Sequence, residues 1–544
     1  MMFKKFMDKP KWYLNAVFYE IFLRSFKDSN GDGIGDLAGL TEKLDYLAEL
    51  GVDCLWLCPI YPSPLKDNGY DISDFYAIDP VYGTLEEFKD LIKQVHKHGM
   101  RLIMDLVVNH TSDQHPWFQE ARANLNSPYH DYYVWSDSDA PYRDARIIFL
   151  DTETSNWAWD EAAGKYYWHR FYTSQPDLNY DNPAVRSEML NIIRHWLDLG
   201  IDGFRVDAVP YLFEADGTNC ENLPQTHDYL KQMRDIVDRN YKDKVLICEA
   251  NQPPVDVVDY LGKGDEFHIA FHFPLMPKIF MGLRAASRLP IEEALKNTPP
   301  IPAGTQWGTF LRNHDELTLE MVTPEEREWM WQQYAPEPRM RQNLGIRRRL
   351  APLLDNNPRK IMLANRLLFS LPGTPFLYYG DEIGMGDNVD LPDRNGVRTP
   401  MQWDATVNGG FSTHPQPWVP VIDREPFSPA SVNVAQQMST DGSLWQQTRD
   451  LIDLRKREKV FQSNEFTLLE NTDEQVMLFM RGSEKDVMLC AHNLGAEAVS
   501  LKIDLPVYEN HKLADLLTKR AFQFNSQTLE LSLEAYESLF LKPS

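Results

Sequence analysis

The run Gly203-Phe204-Arg205-Val206-Asp207-Ala208-Val209 decides the fold of this chain. It is predicted as a short apolar strand, and a period of two places Arg205 and Asp207 on one face. A helix is predicted to precede it and to end at Gly200, because apolar residues recur at helical spacing at Met189, Ile192, Ile193, Trp196 and Leu197. A helix, a tight turn and a strand ending in a carboxylate are typical of a β/α barrel, where chemistry lies at strand C-termini. Alone, the Arg–Asp pair fits a structural ion pair equally well.

Composition narrows the class of partner. The chain has 544 residues, of which 43% are hydrophobic and 25% charged, and its net charge is -25. This charge argues against nucleic acid or an anionic membrane as a partner and suits a neutral small molecule. No stretch is long and apolar enough to span a bilayer, and residues 1–13 lack a signal-peptide core. Five scattered cysteines fit a reducing cytoplasm, and Cys54 and Cys58 are expected as buried free thiols.

Eight apolar segments are predicted as strands, and helices are predicted between the first ones, at residues 37–50 and 85–98. The strands are residues 15–22, 52–59, 101–108, 203–207, 245–248, 267–273, 309–311 and 374–379. Alternation of strand and helix predicts a parallel sheet. The predicted architecture is therefore α/β, a (β/α)8 TIM barrel formed by residues 1–108 and 181–464.

Two further domains are predicted. About 70 residues separate the third strand from the next barrel helix, which is typical of a functional insertion, here residues 109–180. The insertion is rich in aromatic residues, most of them expected in a small core and those at its inner edge expected to stack on sugar rings. From residue 465 to 544, six short strands predict an antiparallel C-terminal β-sandwich: residues 466–469, 476–479, 487–491, 499–503, 528–531 and 538–541.

The loop from Asp28 to Asp36 carries oxygen side chains at alternate positions, with Gly33 where a calcium loop turns sharply. Gly39 stands where an EF-hand has its closing glutamate, and a solvated Asp/Gly turn is the alternative. Because four such oxygens would repel one another, a cation is predicted here. Its ligands are Asp28, Asn30, Asp32, Asp36 and the carbonyl of Ile34; calcium is expected, with magnesium as the alternative.

Three carboxylates, Asp207, Glu249 and Asp315, lie at the ends of the fourth, fifth and seventh strands, which converge on one mouth of a barrel. Two carboxylates there can divide a glycosidic reaction between a nucleophile and a proton donor. Arg205 is expected to keep Asp207 ionised, and burial is expected to raise the pKa of Glu249 toward that of a general acid. His110 and His314, each beside a polar strand end, are expected to bind sugar hydroxyls.

Four stretches resemble, in order and spacing, the signature sequences of the α-amylase family of glycoside hydrolases. They are Asp105-Leu-Val-Val-Asn109-His110, Gly203-Phe-Arg205-Val-Asp207, Glu249 and Asn313-His314-Asp315. Three more are similar to the α-glucosidase-like branch of that family: Asp67-Asn-Gly-Tyr70-Asp71, Gln175-Pro-Asp177-Leu-Asn179 and Arg398-Thr-Pro-Met-Gln-Trp403. The likeness covers nearly the whole chain, and it implies that the insertion is the family's domain B and the C-terminal sandwich its domain C.

The resemblance implies a role for each matching residue. Asp207 is the implied nucleophile, Glu249 the acid/base, and Asp315 the residue that stabilises the distorted sugar. The residues implied to hold the reacting glucose are Asp67, Tyr70, His110, Arg205, His314 and Arg398. The family also implies calcium near the insertion, bound by Asn109, Asp177, Glu214 and the backbone oxygens of Tyr211 and Leu212.

Within the family, residues 216–227, 270–276 and 310–321 resemble the trehalose synthases, which interconvert maltose and trehalose. Cys220 departs from that pattern, where glycine is expected. The resemblance implies that some of the substrate is hydrolysed to glucose and that a maltose kinase is a partner protein. It leaves open whether the chain forms a homo-oligomer. An α-glucosidase hydrolysing maltose, trehalose or sucrose is the alternative enzyme, and a non-catalytic sugar-binding or assembly subunit is the alternative of another class.

Isomerisation requires a pocket that closes against water. Arg146 in the insertion is expected to pair with Glu316 or Glu320 as a gate. Tyr211 and Asn251 are expected to line the site of the second glucose. Ala208, directly after Asp207, resembles members of the branch that act on α-1,4 bonds.

Overall fold

A computed structural model describes residues 11–483, 486–505, 512–525 and 527–543. Eight parallel strands close into a barrel, because β1 pairs with both β2 and β8. The strands are β1 (Phe18–Ile21), β2 (Cys54–Leu57), β3 (Arg101–Val107), β4 (Gly203–Asp207), β5 (Val245–Cys248), β6 (Ile269–Phe271), β7 (Gln306–Phe310) and β8 (Thr374–Tyr378). The predicted barrel is confirmed, although β7 begins three residues earlier than expected, with the polar but fully buried Gln306.

The α-helices pack outside the strands or in the connections between them. They are Leu37–Glu42, Leu44–Leu50, Leu85–Lys97, Pro116–Ala123, Pro183–Leu199, Pro224–Asn240, Pro254–Val257, Leu275–Ala285, Leu289–Lys296, Pro324–Tyr334, Leu350–Leu353, Pro358–Ser370, Val434–Ser439 and Leu444–Arg457. The prediction of one helix over residues 37–50 is wrong. The helix breaks at Lys43. Shortly before the break, the hydroxyl of Thr41 donates to the carbonyl of Leu37, and such a bond tends to bend a helix.

The approach to β4 is built as its sequence predicts. The helix Pro183–Leu199 ends at Gly200, whose φ of 112° only glycine adopts readily. Gly203 is also required, because a Cβ there would stand 1.9 Å from the carbonyl oxygen of Val245. Arg205 and Asp207 share one face of β4 and contact each other, which confirms the alternation.

The segment between β3 and the helix Pro183–Leu199 forms its own small layer over the barrel mouth. Three antiparallel strands, Trp135–Ser136, Trp157–Asp160 and Lys165–Trp168, make its sheet. Its aromatic residues largely pack against one another, as in the stacked pair Phe118 and Trp135. An isolated antiparallel β-bridge between His110 and Asp177 holds the end of the segment next to the end of β3.

The C-terminal strands form an antiparallel domain with a hydrophobic core separate from that of the barrel. They are Phe466–Leu468, Val476–Ser483, Asp486–Asn493, Val499–Asp504, Lys512–Asp515, Ala521–Asn525, Thr528–Leu533 and Ser538–Pro543. All six predicted strands are present. Lys512–Asp515 and Ala521–Asn525 were missed because each is short and the first begins with a charged residue. The exact domain boundaries stay a prediction.

The five cysteines lie buried and free, as expected for Cys54 and Cys58. In the described part of the chain, no helix is long and apolar enough to cross a membrane. Most of the segment 1–13, which was predicted to lack a signal core, lies outside the described residues.

Candidate active site

The three predicted carboxylates meet at one cavity. Asp207 ends β4, Glu249 follows β5, and Asp315 lies five residues after the end of β7. All three line a cavity of about 850 Å³, counted with its open mouth, which is within the usual size of a ligand site. Its other walls are Asp67, Tyr70, His110, Ile148, Phe149, Phe171, Ala208, Pro210, Tyr211, Asn251, Phe273, Asn313, Glu316, Thr318, Glu320 and Arg394.

Arg205 holds two of these carboxylates from behind. Its Nη1 contacts Asp207 and lies 2.6 Å from Oδ1 of Asp105, while its Nη2 lies 2.6 Å from Oε1 of Glu249. The guanidinium is almost fully buried and stacks over the rings of Trp56 and Tyr70. A single cation therefore fixes the positions of the nucleophile and acid/base candidates.

The surroundings of Asp207 and Glu249 set their protonation. Burial raises the pKa of Glu249 to about 7, against the lowering effect of Arg205, as predicted for a general acid. Burial also raises the pKa of Asp207, and Arg205 offsets that effect only in part. Ala208 has a left-handed backbone with φ of 52°, which aims its N–H at Oε2 of Glu249 over 2.9 Å.

Asp315 is surrounded by cations. Its Oδ1 lies 2.7 Å from Arg394 and 3.0 Å from Arg398, and its Oδ2 lies 3.1 Å from Nε2 of His314. Burial alone would raise the pKa of Asp315, but His314 and Arg394 hold it well below its usual range. Asp315 is therefore an ionised carboxylate, as stabilisation of a cationic sugar requires.

Arg394 is a site residue that the sequence did not reveal. It bridges Asp315 and Asp67, and Nε2 of Gln175 donates to the other oxygen of Asp67 at 2.9 Å. Asp67 and Arg394 both line the cavity, so their ion pair forms part of its wall. Arg394 lies in a short 3-10 helix, Asp393–Val397, and its only signal was its place four residues before Arg398.

The predicted sugar-binding residues fall into two groups. Those that line the cavity are Asp67, Tyr70, His110, Tyr211, Asn251, Glu316 and Glu320. Arg205, His314 and Arg398 instead lie behind the wall, each at most 1% exposed, and contact the carboxylates. Both nitrogens of His110 already face protein atoms, the carbonyl of Tyr70 at 3.2 Å and the amide of Asn109 at 3.4 Å.

The insertion adds Phe149 and Phe171 to the aromatic residues of the wall, and the sequence analysis singled out neither. Phe149 lies over the guanidinium of Arg394, with its ring centroid 5.6 Å from the carbon of that group. Beside it, Asp151 and Asn343 exchange backbone-to-side-chain bonds of 2.7 and 3.4 Å. The insertion therefore roofs the pocket and is tied to the far rim.

The expected gate contact is present, with Glu320 as the partner. Nη1 of Arg146 lies 2.8 Å from Glu320, its Nε lies 2.9 Å from Glu221, and its Nη2 donates to the Tyr211 hydroxyl at 3.1 Å. Glu316 does not contact Arg146; it accepts a bond from Asn343. Asn251 also donates to Glu320, at 3.0 Å.

The second predicted cation site carries oxygens that lack partners. Oδ1 of Asn109, Oδ2 of Asp177 and Oε1 of Glu214 are buried without a hydrogen-bond donor. Burial raises the pKa of Asp177 to about 8, and burial together with the charge of Asp177 raises that of Glu214 well above its usual range. Buried oxygens without donors are the ligands that a hard cation accepts, so these residues fit calcium.

The Asp28–Asp36 loop differs, because its acidic groups have partners. Both oxygens of Asp28 accept bonds from backbone amides, and Asp36 caps the helix that starts at Leu37. Burial would raise the pKa of Asp28, but bonds from Ser412 and three amides lower it. These donors offset the repulsion on which the cation argument rested, and Gly33 turns the loop with φ of 91°.

Enzymes that break or transfer glycosidic bonds use two carboxylates at such a barrel mouth, and this pocket presents them. Residues 20–464 match the family described as "Alpha amylase, catalytic domain", and residues 466–539 match "Maltogenic Amylase, C-terminal domain". The chain is an enzyme that belongs to the α-amylase family.

Several relatives are similar over nearly the full length. A trehalose synthase/amylase of Mycolicibacterium smegmatis is 55% identical over 509 residues, covering 91% of this chain and 86% of that protein. A trehalose synthase of Pimelobacter sp. is 52% identical over 525 residues, covering 94% of this chain and 92% of that protein. A crystal structure of a mutant of the trehalulose synthase MutB in complex with Tris aligns with a TM-score of 0.79 at 29% identity, covering 98% of this chain and 100% of that one. These likenesses support a sugar isomerase or glycosyl-transfer activity.

Proposed function

We propose that the enzyme isomerises maltose to trehalose by internal transfer of a glucosyl group, with some loss to glucose. The observation that carries this proposal is the roofed pocket: Arg394 and Asp67 form an ion pair in its wall, and Arg146 of the insertion pairs with Glu320, which lines the same pocket. The relatives named trehalose synthase support the same activity. An α-glucosidase that only hydrolyses its substrate needs the wall formed by Arg394 and Asp67, but it does not need the contact between Arg146 and Glu320.

In the first half-reaction, Asp207 attacks the anomeric carbon while Glu249 gives its proton to the departing glycosidic oxygen. The products are a glucosyl ester on Asp207 and a free glucose. That glucose turns within the pocket until its anomeric hydroxyl faces the ester. Glu249 then takes the hydroxyl proton, the α,α-1,1 bond forms, and Asp207 leaves as a carboxylate, so that two inversions retain the α configuration.

The freed glucose must be held while it turns. Asn251 has a buried Oδ1 without a partner, and its Nδ2 is bound to Glu320 and Thr318, so the amide is oriented with an acceptor left for a sugar hydroxyl. The Tyr211 hydroxyl is oriented by Arg146. We assign these two residues to the site of the second glucose.

Replacement of Arg146 by alanine should raise the ratio of glucose to trehalose formed from maltose by about two- to fivefold. The Arg146 side chain is 36% exposed, and a partly exposed ion pair is worth roughly 0.5–1 kcal/mol. Loss of the gate admits water to the glucosyl ester. Sugars are quantified by chromatography, and Arg143→Ala, an exposed neighbour in the same segment, serves as the matched control. An unchanged ratio in Arg146→Ala would remove the gate from the mechanism.

Calcium is proposed as a structural cofactor, held by Asn109, Asp177, Glu214 and the carbonyls of Tyr211 and Leu212. The Asp28–Asp36 loop stays a predicted second site, which now rests on its alternating oxygens and the turn at Gly33. When bound, calcium neutralises buried oxygens and fixes the base of the insertion; no reaction step involves it. Magnesium is the alternative metal. Cytoplasmic location, a homo-oligomer and a maltose kinase partner stay predictions.

Chelation should lower the melting temperature of the wild-type protein, because a cation that binds only the folded state stabilises it. Elemental analysis of protein purified without chelator should find two cations per chain. Glu214→Gln should lose one and Asp28→Asn the other. Metal-free wild-type protein with an unchanged melting temperature would contradict both sites, and a single cation lost only in Glu214→Gln would contradict the loop.

A further inference from the structure

A buried carboxylate that the mechanism above does not use stands behind Asp315. Glu20 is the third residue of β1, is 1% exposed, and contacts Nδ1 of His314. Its Oε1 also accepts the backbone N–H of His314 at 3.3 Å. On the other side of the ring, Nε2 of His314 lies 3.1 Å from Oδ2 of Asp315. The imidazole therefore stands between two carboxylates.

The ring of His314 cannot rotate away from this arrangement. It stacks on Tyr70 with centroids 5.2 Å apart and planes at 7°, and it meets the edge of Trp56 at 6.0 Å. Its orientation is thus fixed by packing, and only its protonation can vary. The charged or titratable groups that face it are Glu20 from β1, Cys58 after β2, Tyr70, Asp105 from β3, Asp315 after β7 and Arg398, which binds its carbonyl.

A neutral imidazole has one N–H and could satisfy only one of the two carboxylates, leaving a lone pair against the other. An imidazolium donates at both nitrogens. Burial would lower the pKa of His314, but Asp315, Cys58 and Glu20 hold it well above its usual range. The contact between Nε2 and Asp315 has an ion-pair distance without the alignment of a hydrogen bond, and Nε2 has no other partner. Its N–H therefore faces Asp315 from behind the wall of the cavity.

We propose that Glu20 is a positioning residue that keeps His314 an imidazolium, so that Nε2 always presents a proton to Asp315. Glu20 touches no reacting atom and acts only through His314. Glu20, Cys58 and His314 together resemble a metal-ligand group, but Glu20 and His314 contact each other directly, which leaves no gap for an ion between them. The proposal rests on the proposed function only in using maltose as the substrate.

The test compares kcat/KM for maltose disappearance from pH 5 to 9 in Glu20→Gln and in wild type. Without the negative charge, His314 becomes neutral as pH rises, with the lone pair of Nε2 facing Asp315. The ratio of variant to wild-type activity should be near one at pH 5 and fall by about tenfold per pH unit above the lowered pKa. Wild-type activity also falls with the deprotonation of Glu249, which is why the ratio is used.

Two control variants separate this role from a structural one. Tyr19 lies on the same strand as Glu20, and Tyr19→Phe removes its buried hydrogen bond to Glu382. The ratio of its activity to that of the wild type should not change with pH. Glu20→Asp keeps the charge and should also give a flat ratio. A flat ratio for Glu20→Gln, or a falling one for Glu20→Asp, overturns the proposal. Because maltose disappearance is followed, this result is independent of whether the product is trehalose or glucose.

A measurement on wild type covers the case in which Glu20→Gln does not fold. Nitrogen-15 NMR of histidine-labelled protein should find one imidazole that stays protonated at both nitrogens up to pH 9. That signal should be missing in His314→Gln. If every imidazole of the wild type titrates to the neutral form below pH 9, the proposal is wrong.

Discussion

Asp207→Asn is expected to give a folded enzyme whose turnover of maltose is lower by about 10⁴-fold or more, the size of effect seen when a covalent nucleophile is removed. The amide keeps the size of the side chain and one acceptor for Arg205, so the buried pocket retains its shape. The amide cannot form the glucosyl ester, because it is a far weaker nucleophile than the carboxylate. Residual activity is measured by chromatography of the sugars after long incubation.

Asp202→Asn is the matched control, because Asp202 precedes the opposite end of the same strand. It binds His96, Arg101 and the backbone of Leu102, at the face of the barrel where residues serve stability. We expect it to lower the melting temperature and leave turnover near wild type. Trehalose formation by Asp207→Asn above the level of contamination would rule out Asp207 as the nucleophile.

Glu249→Gln is expected to lower turnover of maltose by about 10²–10⁴-fold, the usual contribution of a general acid–base group. The variant should lose much less with an aryl α-glucoside in the first half-reaction, because that leaving group needs little help from a proton. The aryl alcohol released in a burst then measures glucosylation of Asp207 directly. An equal loss with both substrates would assign the acid role elsewhere.

The same residue sets the alkaline side of the pH profile. The first step needs Glu249 protonated, and its pKa of about 7 means that kcat/KM of the wild type should fall as pH rises above about 7. In Glu249→Gln this fall should disappear, since the amide does not titrate. A fall that persists in the variant would come from another group.

Regular strands made much of this site predictable. The alternation in β4 aims Arg205 and Asp207 inward, and strands of known direction bring Glu249 and Asp315 to the same mouth. Helix breaks follow finer local chemistry, as at Lys43, where the apolar pattern continues although the helix stops.

Other parts of the site come from segments too short or too irregular to carry a periodic pattern. Arg394 reaches Asp67 across 327 residues, and Phe149 lies in an irregular part of the insertion. Glu20 lies within the predicted strand 15–22 without any local signal of a role, because its partner His314 is 294 residues away. Such contacts depend on the closed barrel, which brings β1 beside β8 and near the end of β7.

The central claim is internal transfer of glucose, and incubation of the wild type with maltose and carbon-13-labelled free glucose tests it most directly. Chromatography with mass spectrometry gives both the product ratio and the label in each sugar. The account predicts trehalose as the main product, with little label, because the freed glucose turns inside the closed pocket. Glucose without trehalose would contradict the account and establish an α-glucosidase.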